Sequence, residues 1–228
     1  MKALVLFSGG LDSTTSLAMA INKYGKENVI ALSMQYGQKH DKELIQSKKI
    51  CEYYDVKHLY IDLTKIFEYS DCSLLKKNEK DIPEGDYKKQ LKELNGSNLS
   101  TYVPYRNGLF LSTAASIALS LNCDVIYYGA HIDDAAMDAY PDCSKEFTDA
   151  INQAIYLGSG KKVNVIGPFV NMRKSDIVKI GLDLKVPYEL TWSCYEGHDK
   201  ACGRCGTCID RKKAFLANGV KDPIEYEE

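Results

Sequence analysis

The feature that most constrains this chain is a short apolar run that leads directly into Ser8-Gly9-Gly10-Leu11-Asp12-Ser13, inside which a helical pattern begins. Two adjacent glycines let the backbone turn tightly and approach a ligand without a Cβ atom in the way. The helix that follows offers unpaired N–H groups and the positive end of its dipole. The hexapeptide therefore predicts a phosphate-binding loop between the first strand and the first helix.

Asp12 is an unusual residue for an anion site. Its expected use is to hold a magnesium ion that bridges phosphate oxygens, since magnesium takes few carboxylates together with substrate phosphates. The loop has no lysine to reach the β and γ phosphates, unlike the common nucleotide loop, and lacks the spaced glycines of a dinucleotide fingerprint. A plain strand-to-helix turn, capped by Asp12 or Ser13, is the alternative. The predicted nucleotide-binding residues are Ser8, Gly9, Gly10, Leu11, Asp12, Ser13 and Thr14.

Alternating strand and helix patterns predict an α/β fold, a Rossmann-like open parallel sheet of about five strands flanked by helices. After the first strand, helices are expected at residues 11–24, 41–55, 109–121, 144–157, 173–184 and 209–217, and strands at 29–34, 57–61, 124–130 and 163–166. Ligands of open parallel sheets sit at the carboxyl ends of strands, beside the point where strand order reverses. The phosphate loop, residues 36–40 and residues 131–134 should therefore converge.

The length of 228 residues fits one large α/β domain, or a domain plus a small appendage. We expect a nucleotide-binding α/β domain over residues 1–190, in which the polar stretch 62–98 is an insertion over the active-site edge. Residues 191–228 are expected to form a small zinc-binding segment and the terminal helix.

Four of the eight cysteines lie close together, at Cys194, Cys202, Cys205 and Cys208. Two overlapping C-x-x-C steps and a fourth thiol nearby predict one structural zinc ion per chain in a tetrahedral sulfur site. An iron–sulfur cluster or a redox group remains an alternative. His198 lies inside the same loop and is expected to be an ordinary loop residue rather than a ligand.

The charge balance disfavours nucleic acid as a partner. Twenty-nine basic and 31 acidic side chains give a net charge of −2, so small ligands fit this chain better. No positively charged leader precedes the first strand, and no apolar run approaches the roughly 20 residues of a membrane span. These features predict a cytoplasmic protein without a membrane partner.

The hexapeptide resembles the signature of the ATP pyrophosphatase loop family, whose members cleave ATP between the α and β phosphates. Further segments, in this order, resemble the 7-cyano-7-deazaguanine synthase family of queuosine biosynthesis, and the resemblance covers nearly the whole chain. They are Tyr36-Gly37-Gln38-Lys39-His40, Val103-Pro104 with Arg106-Asn107, Tyr140-Pro141-Asp142-Cys143 and Thr191-Trp192-Ser193-Cys194-Tyr195. Two departures stand out: Tyr105 replaces a usual glycine, and the segment that begins at His131 is looser than the family pattern.

The resemblance implies an AMP-forming ligase that converts 7-carboxy-7-deazaguanine, ammonia and ATP with magnesium into a nitrile through two adenylations. It also implies a homodimer that requires no nucleic acid. The candidate catalytic residues are Asp12, Ser13, His40, Arg106 and Asp133, with Lys174 as a second candidate for positive charge near the α-phosphate. Asp133, Asp134 and Asp142 are candidates for a second magnesium ion or the guanine-like edge of the substrate, and helix capping or solvation explains each equally well.

Two rival functions remain open at this point. The same loop family includes tRNA thiolation enzymes, which use cysteines as persulfide carriers; the missing basic surface and the clustered cysteines argue against that function. The second rival is a zinc module that binds RNA on a nucleotide-sensing scaffold. Cys143 is a further candidate nucleophile, but we expect ammonia to attack directly because nothing nearby in the sequence activates its thiol.

Overall fold

The computed structural model describes residues 1–85, 90, 99–135 and 139–227. The predicted insertion over 62–98 therefore lies partly outside the described residues, at 86–89 and 91–98. Within the described part the strands are Ala3–Leu6 (β1), Val29–Gln35 (β2), Lys57–Asp62 (β3), Val125–Tyr127 (β4) and Asn164–Ile166 (β5). The α-helices are Leu11–Tyr24 (α1), Lys42–Tyr54 (α2), Arg106–Ser120 (α3), Ile132–Ala135 (α4), Lys145–Gly158 (α5), Lys174–Asp183 (α6) and Gly206–Ala217 (α7).

The described strands form one parallel sheet in the order β3-β2-β1-β4-β5. The predicted Rossmann-like α/β architecture is thus confirmed. β1 lies at the centre, where Leu4 pairs with Ile30 of β2 on one side and with Ile126 of β4 on the other. Strand order reverses between β1 and β4, so the carboxyl ends of these two strands mark the place where a ligand is expected.

Both faces of the sheet are covered by helices, which explains why its central strands are apolar along their whole length. Successive side chains of a strand point to opposite faces. Leu4 packs in a cluster with Leu111 of α3, whereas Val5 packs in a separate cluster with Leu17 of α1 and Ile50 of α2. β1 is therefore buried on both sides, and the loop that follows it is held on a rigid base.

Three elements differ from their predicted bounds at functional positions, among them the helix predicted from residue 209, which begins at Gly206. The strand predicted at 124–130 ends at Tyr127, because the chain turns at Gly129 to pass the phosphate loop; a Cβ atom there would lie 3.3 Å from the backbone of Asp12 and Ser13. The helix predicted from residue 109 already begins at Arg106, since its first turn is capped by a side chain distant in sequence.

Tyr105, which precedes α3, adopts a left-handed backbone conformation with φ of 53°. A glycine reaches this region without the steric cost that a Cβ atom brings, about 1–2 kcal/mol. The glycine typical of the resembled family at this position therefore has a conformational reason, and Tyr105 keeps the same turn.

The C-terminal segment packs against the rest of the chain. Trp192 and the four clustered cysteines share an apolar cluster with Phe67, Leu75 and Val103. The guanidinium group of Arg211 is fully buried and makes two hydrogen bonds to the carboxylate of Asp222, at 2.7 and 3.0 Å. The domain division at residue 190 remains a prediction. In the described parts of the chain, every helix is too short or too polar to cross a bilayer.

Candidate nucleotide-binding site and metal centre

The loop after β1 is held open by hydroxyl groups. The backbone N–H of Ser8 donates to Oγ of Ser13 over 3.2 Å, and the two serine oxygens lie 3.1 Å apart. Thr14 donates from its hydroxyl to the carbonyl oxygen of Gly10 over 2.7 Å. These contacts hold the loop against the first turn of α1, and the N-terminus of a helix is a site where anions bind.

Gly9 is the point at which this loop contacts its neighbours. Its φ is +85°, and a Cβ atom would lie 2.6 Å from the carbonyl oxygen of Glu43 and 2.7 Å from the backbone nitrogen of Ser47. On the other side, the N–H of Trp192 donates to the carbonyl oxygen of Gly9 over 3.0 Å. The loop is therefore clamped between α2 and residues 191–194, and only a glycine fits there.

A cavity of about 260 Å³ opens above the carboxyl ends of β1 and β4. It is lined by the phosphate loop, by residues after β2 and by residues after β4, so the predicted convergence of three loops is confirmed. The first turns of α1, α3, α6 and α7 all contribute to its wall, through Ser13, Arg106, Lys174 and Thr207. Several helix N-termini around one cavity favour a ligand with several negative charges.

A group of four ionisable side chains lies beside the loop. Nζ of Lys174 is 3.4 Å from Oδ2 of Asp12, and the fully buried His131 has Nε2 3.7 Å from the same oxygen and 3.2 Å from Oδ2 of Asp134. Burial works against a charge on Lys174, but Asp12 and Asp134 raise its pKa, so it stays a cation. Oδ1 of Asp12 is buried and has no hydrogen-bond partner among the described residues. A carboxylate oxygen left in this state fits a magnesium ligand.

The four clustered cysteines form a closed site. The sulfur atoms of Cys194, Cys202, Cys205 and Cys208 are all buried and lie within 4.8 Å of one another. Zinc bound by four sulfurs at about 2.3 Å places them about 3.8 Å apart, so the arrangement fits a tetrahedral metal ion. Backbone N–H groups of Glu196 and Cys202 donate to the sulfur of Cys194 over 3.3 and 3.4 Å, as expected around a thiolate ligand.

His198 is not part of this group. Its Nδ1 lies 2.6 Å from a carboxylate oxygen of Glu227 at the exposed surface. The prediction that His198 is a loop residue is therefore supported by its position. All eight cysteines are free thiols in the structure.

The sequence matches a family model described as "Queuosine biosynthesis protein QueC" over residues 2–219. A 7-cyano-7-deazaguanine synthase of Caldicellulosiruptor saccharolyticus is 47% identical over 227 residues, which cover 100% of this chain and 96% of that relative. A 7-cyano-7-deazaguanine synthase of Archaeoglobus fulgidus is 44% identical, with 100% and 91% covered. This chain belongs to the QueC family.

Distant solved structures share the fold of this QueC-family chain. An NMN synthetase of Francisella tularensis is 15% identical, with a TM-score of 0.53 over 96% of this chain and 78% of that structure. An NH3-dependent NAD synthetase of Campylobacter jejuni has a TM-score of 0.51 at 15% identity, over 83% and 66%. At this level of identity the likeness concerns the fold alone.

Two of the candidate acids in this QueC-family chain serve as helix caps. Oδ2 of Asp133 accepts a hydrogen bond from the backbone N–H of Lys174 over 2.9 Å, at the start of α6. Oδ2 of Asp142 accepts one from the backbone N–H of Asn107 over 2.8 Å, at the start of α3. Among the described residues that line the cavity, Asp134 is present and Asp133 is not. The helix-capping alternative thus accounts for Asp133 and Asp142, and a catalytic role for Asp133 has no geometric support.

Arg106 and His40 both line the cavity. Nη1 of Arg106 lies 3.5 Å from the hydroxyl oxygen of Tyr36, and the guanidinium carbon is 5.3 Å from the centre of that ring. Burial raises the pKa of Tyr36 to about 12, so its hydroxyl stays protonated. Burial lowers the pKa of His40, whose Nδ1 accepts the backbone N–H of Lys42 over 3.3 Å. His40 is therefore held as a neutral ring.

Cys143 also lines the cavity, and its sulfur accepts a hydrogen bond from the side-chain amide of Asn107 over 3.2 Å. Burial, with Asp134 and Asp142 nearby, raises the pKa of this thiol well above its usual value. A thiol that stays protonated is a poor nucleophile. This supports the prediction that ammonia attacks directly.

Sequence reasoning missed three residues of the site: His131 as a buried partner of Asp12, Ser193, and Glu43. Glu43 lines the cavity from the first turn of α2, which follows the carboxyl end of β2. A signal for it was available, since the helix after each parallel strand starts at the ligand-binding edge. The sequence singled out the segments that contain His131 and Ser193, but not the contacts of these two side chains, because their partners are distant along the chain.

Proposed function

We propose that this chain is a carbon–nitrogen ligase that converts 7-carboxy-7-deazaguanine and ammonia into 7-cyano-7-deazaguanine, with release of AMP and diphosphate. The observation that carries the proposal is the ion pair between Asp12 and Lys174 beside the glycine loop, which itself contains no lysine. The QueC-family relatives of this chain are named for the same product. The pair offers a cation and a free carboxylate oxygen where the phosphates of ATP would lie.

In the proposed reaction the substrate carboxylate attacks the α-phosphorus of ATP, and diphosphate leaves. Ammonia then attacks the acyl carbon, AMP leaves, and the amide forms after loss of a proton. The amide oxygen attacks the α-phosphorus of a second ATP and diphosphate leaves; loss of AMP and of both protons of the amide nitrogen then gives the nitrile. Each adenylation needs donors at the departing diphosphate, which the N–H groups of the loop, the Ser8 and Ser13 hydroxyls and Lys174 provide.

Arg106 is the proposed partner of the substrate carboxylate. It lies in the cavity wall beside Tyr36. Because an arginine side chain stays protonated, its positive charge would hold the substrate carboxylate near the phosphate loop. His40, held neutral, is a proposed acceptor for a proton of the attacking ammonia.

The proposal includes two kinds of metal ion. Asp12 would hold magnesium, which when bound neutralises charge on the phosphate oxygens and so assists departure of diphosphate. Cys194, Cys202, Cys205 and Cys208 would hold one structural zinc ion. We also propose that the protein is a cytoplasmic homodimer. Light scattering of the purified protein would test the oligomeric state.

The rival functions have less support. All four clustered sulfurs share one closed, buried site, whereas a persulfide carrier needs an accessible thiol. The two relatives from Caldicellulosiruptor saccharolyticus and Archaeoglobus fulgidus carry the synthase name. A net charge of −2 does not provide the positive electrostatic potential that favours RNA binding.

One assay tests the function directly. The protein is incubated with ATP, magnesium, ammonium and 7-carboxy-7-deazaguanine, and products are identified by mass spectrometry. We expect amide, nitrile and AMP; ADP in place of AMP, or no product from this acid, would overturn the proposal. Asp12→Asn and Ser13→Ala should abolish AMP formation. Asp55→Asn, which changes an exposed acid paired with Lys26, is the matched control and should leave it intact.

A further inference from the structure

Glu43 is a charged group of the cavity that the mechanism above does not use. It is the second residue of α2, it lines the cavity, and its side chain is partly buried. Among the described residues it has no hydrogen-bond or ion-pair partner. The described chain supplies no donor to the Glu43 carboxylate, and the partly exposed side chain borders the cavity. Its oxygens are therefore available to donors of a bound ligand.

The electrostatics of Glu43 agree with this. Burial raises its pKa to about 7, and the nearby positive charge of Arg106 only partly opposes that effect. The surrounding side chains therefore stabilise the carboxylate poorly. Two N–H donors from a bound molecule would favour its ionised form.

The surroundings of Glu43 suit a flat ring that carries a negative charge at one end and N–H donors at the other. Arg106 lies close enough to affect the pKa of Glu43, yet no ion pair within 4 Å joins them in the described part of the chain. The cavity wall around them includes Tyr36, Leu44 and Phe110. The site thus presents a cation and an anion that are separated from each other and bordered by aromatic and apolar side chains.

The acid substrate has the complementary chemistry. 7-Carboxy-7-deazaguanine carries a carboxylate on its five-membered ring, and N1–H and the 2-amino group form two adjacent donors at the other end. A carboxylate accepts two parallel N–H groups well. Adenine has no such pair of adjacent donors, and the phosphates of ATP have their own partners at the loop.

We propose that Glu43 is a specificity-determining residue that accepts hydrogen bonds from N1–H and the 2-amino group of the deazaguanine ring, while Arg106 contacts the substrate carboxylate. The inference rests on the proposed function and deepens it. It assigns the guanine-like edge to Glu43 in place of Asp133 and Asp142, whose carboxylates already cap helices.

The test combines a variant with a substrate analogue. Wild-type protein and Glu43→Gln are compared on 7-carboxy-7-deazaguanine and on the same acid without the 2-amino group. Wild type should prefer the natural acid by about tenfold or more in kcat/KM, because the analogue leaves the carboxylate short of a donor. Glu43→Gln should raise KM for the natural acid about tenfold or more, lose most of that preference, and keep KM for ATP within about twofold.

Controls separate folding, position and function. Glu52→Gln changes an exposed acid on the same helix and should behave like wild type. Glu43→Asp, which keeps the charge, should retain part of the preference, and calorimetric binding of the acid without ATP reports recognition apart from turnover. A rise in KM for ATP alone, or unchanged discrimination in Glu43→Gln, would overturn the inference. A wild-type protein that does not use the acid at all would instead overturn the proposed function.

Discussion

The hydroxyl group of Thr207 donates a hydrogen bond to the carbonyl oxygen of Ser193 over 2.8 Å, and its oxygen lies 3.3 Å from the sulfur of Cys205. Residues 191–194 in turn contact the phosphate loop, since Oγ of Ser193 lies 3.5 Å from the N–H of Leu11 and accepts from it. One hydroxyl thus connects the cysteine site to the loop that is expected to bind ATP.

Replacement of Thr207 by valine should therefore weaken ATP binding without loss of the metal. The variant keeps the shape of the side chain but removes a hydrogen bond worth about 1 kcal/mol, which corresponds to about a fivefold rise in KM for ATP. Thr207→Ser should restore it. Steady-state kinetics and metal analysis check this, and an unchanged KM in a fully metal-loaded Thr207→Val protein would contradict it.

Removal of the metal should destabilise the whole chain. Four buried cysteine side chains next to Trp192 would lose the metal ion that they are proposed to bind. A metal ion present at about a thousand times its Kd contributes about 4 kcal/mol to the free energy of unfolding. We expect one zinc ion per chain, and a fall in Tm of about 10 °C on chelation that added zinc reverses. Elemental analysis and calorimetry measure both. Two or more iron atoms per chain with visible absorbance would speak for a cluster instead.

Lys174→Met should lower kcat about 100-fold or more, because Lys174 is the buried cation beside Asp12 where negative charge develops on diphosphate. AMP release measures the effect, and circular dichroism checks the fold. Lys179→Met, on the exposed face of the same helix, is the matched control and should stay near the wild-type rate. A Lys174→Met enzyme within about threefold of wild type would show that the cation is dispensable.

The two loop glycines should respond differently to alanine. Gly9→Ala places a Cβ atom 2.6 Å from a backbone oxygen at a φ of +85°, so we expect loss of ATP turnover and about 2 kcal/mol or more of stability. Gly10→Ala meets its nearest atom, Oγ of Ser8, at 3.2 Å with a negative φ, and should cost clearly less. Denaturation by urea and AMP formation compare the pair. Equal losses in both variants would contradict the clamp at Gly9.

Glu43 should make the free energy of unfolding of the ligand-free protein depend on pH. Its pKa of about 7 in the folded state exceeds the ordinary 4.5, so between these values the folded protein binds the proton more tightly than the unfolded chain. This contribution stabilises at low pH and is lost as pH rises toward 7. Glu43→Gln should therefore gain stability relative to wild type at pH 8 and lose that advantage near pH 5, as measured by urea denaturation. Glu52→Gln should show no such trend.

The order of α/β elements and the identity of the phosphate loop and cysteine site could be predicted because each depends on residues that are neighbours along the chain. Apolar runs in β1 and β2, the glycines before α1 and the spacing from Cys202 to Cys208 carry their own local chemistry. The family resemblance extended that prediction to a reaction. The exact helix starts at Arg106 and Gly206 were missed, because hydrogen bonds to residues distant along the chain help to decide them.

The roles of individual acids could not be read in this way. Asp133, Asp134, Asp142 and Glu43 are equivalent as carboxylates in the sequence, and only packing turns two of them into helix caps, pairs one with His131 and leaves one facing the cavity. The sequence by itself thus determined the fold class, the glycine loop and the cysteine cluster that could hold a metal ion. The tertiary structure alone decided that Lys174 meets Asp12 and that Glu43 has no partner in the described chain, because burial and long-range contacts set the electrostatics of each group.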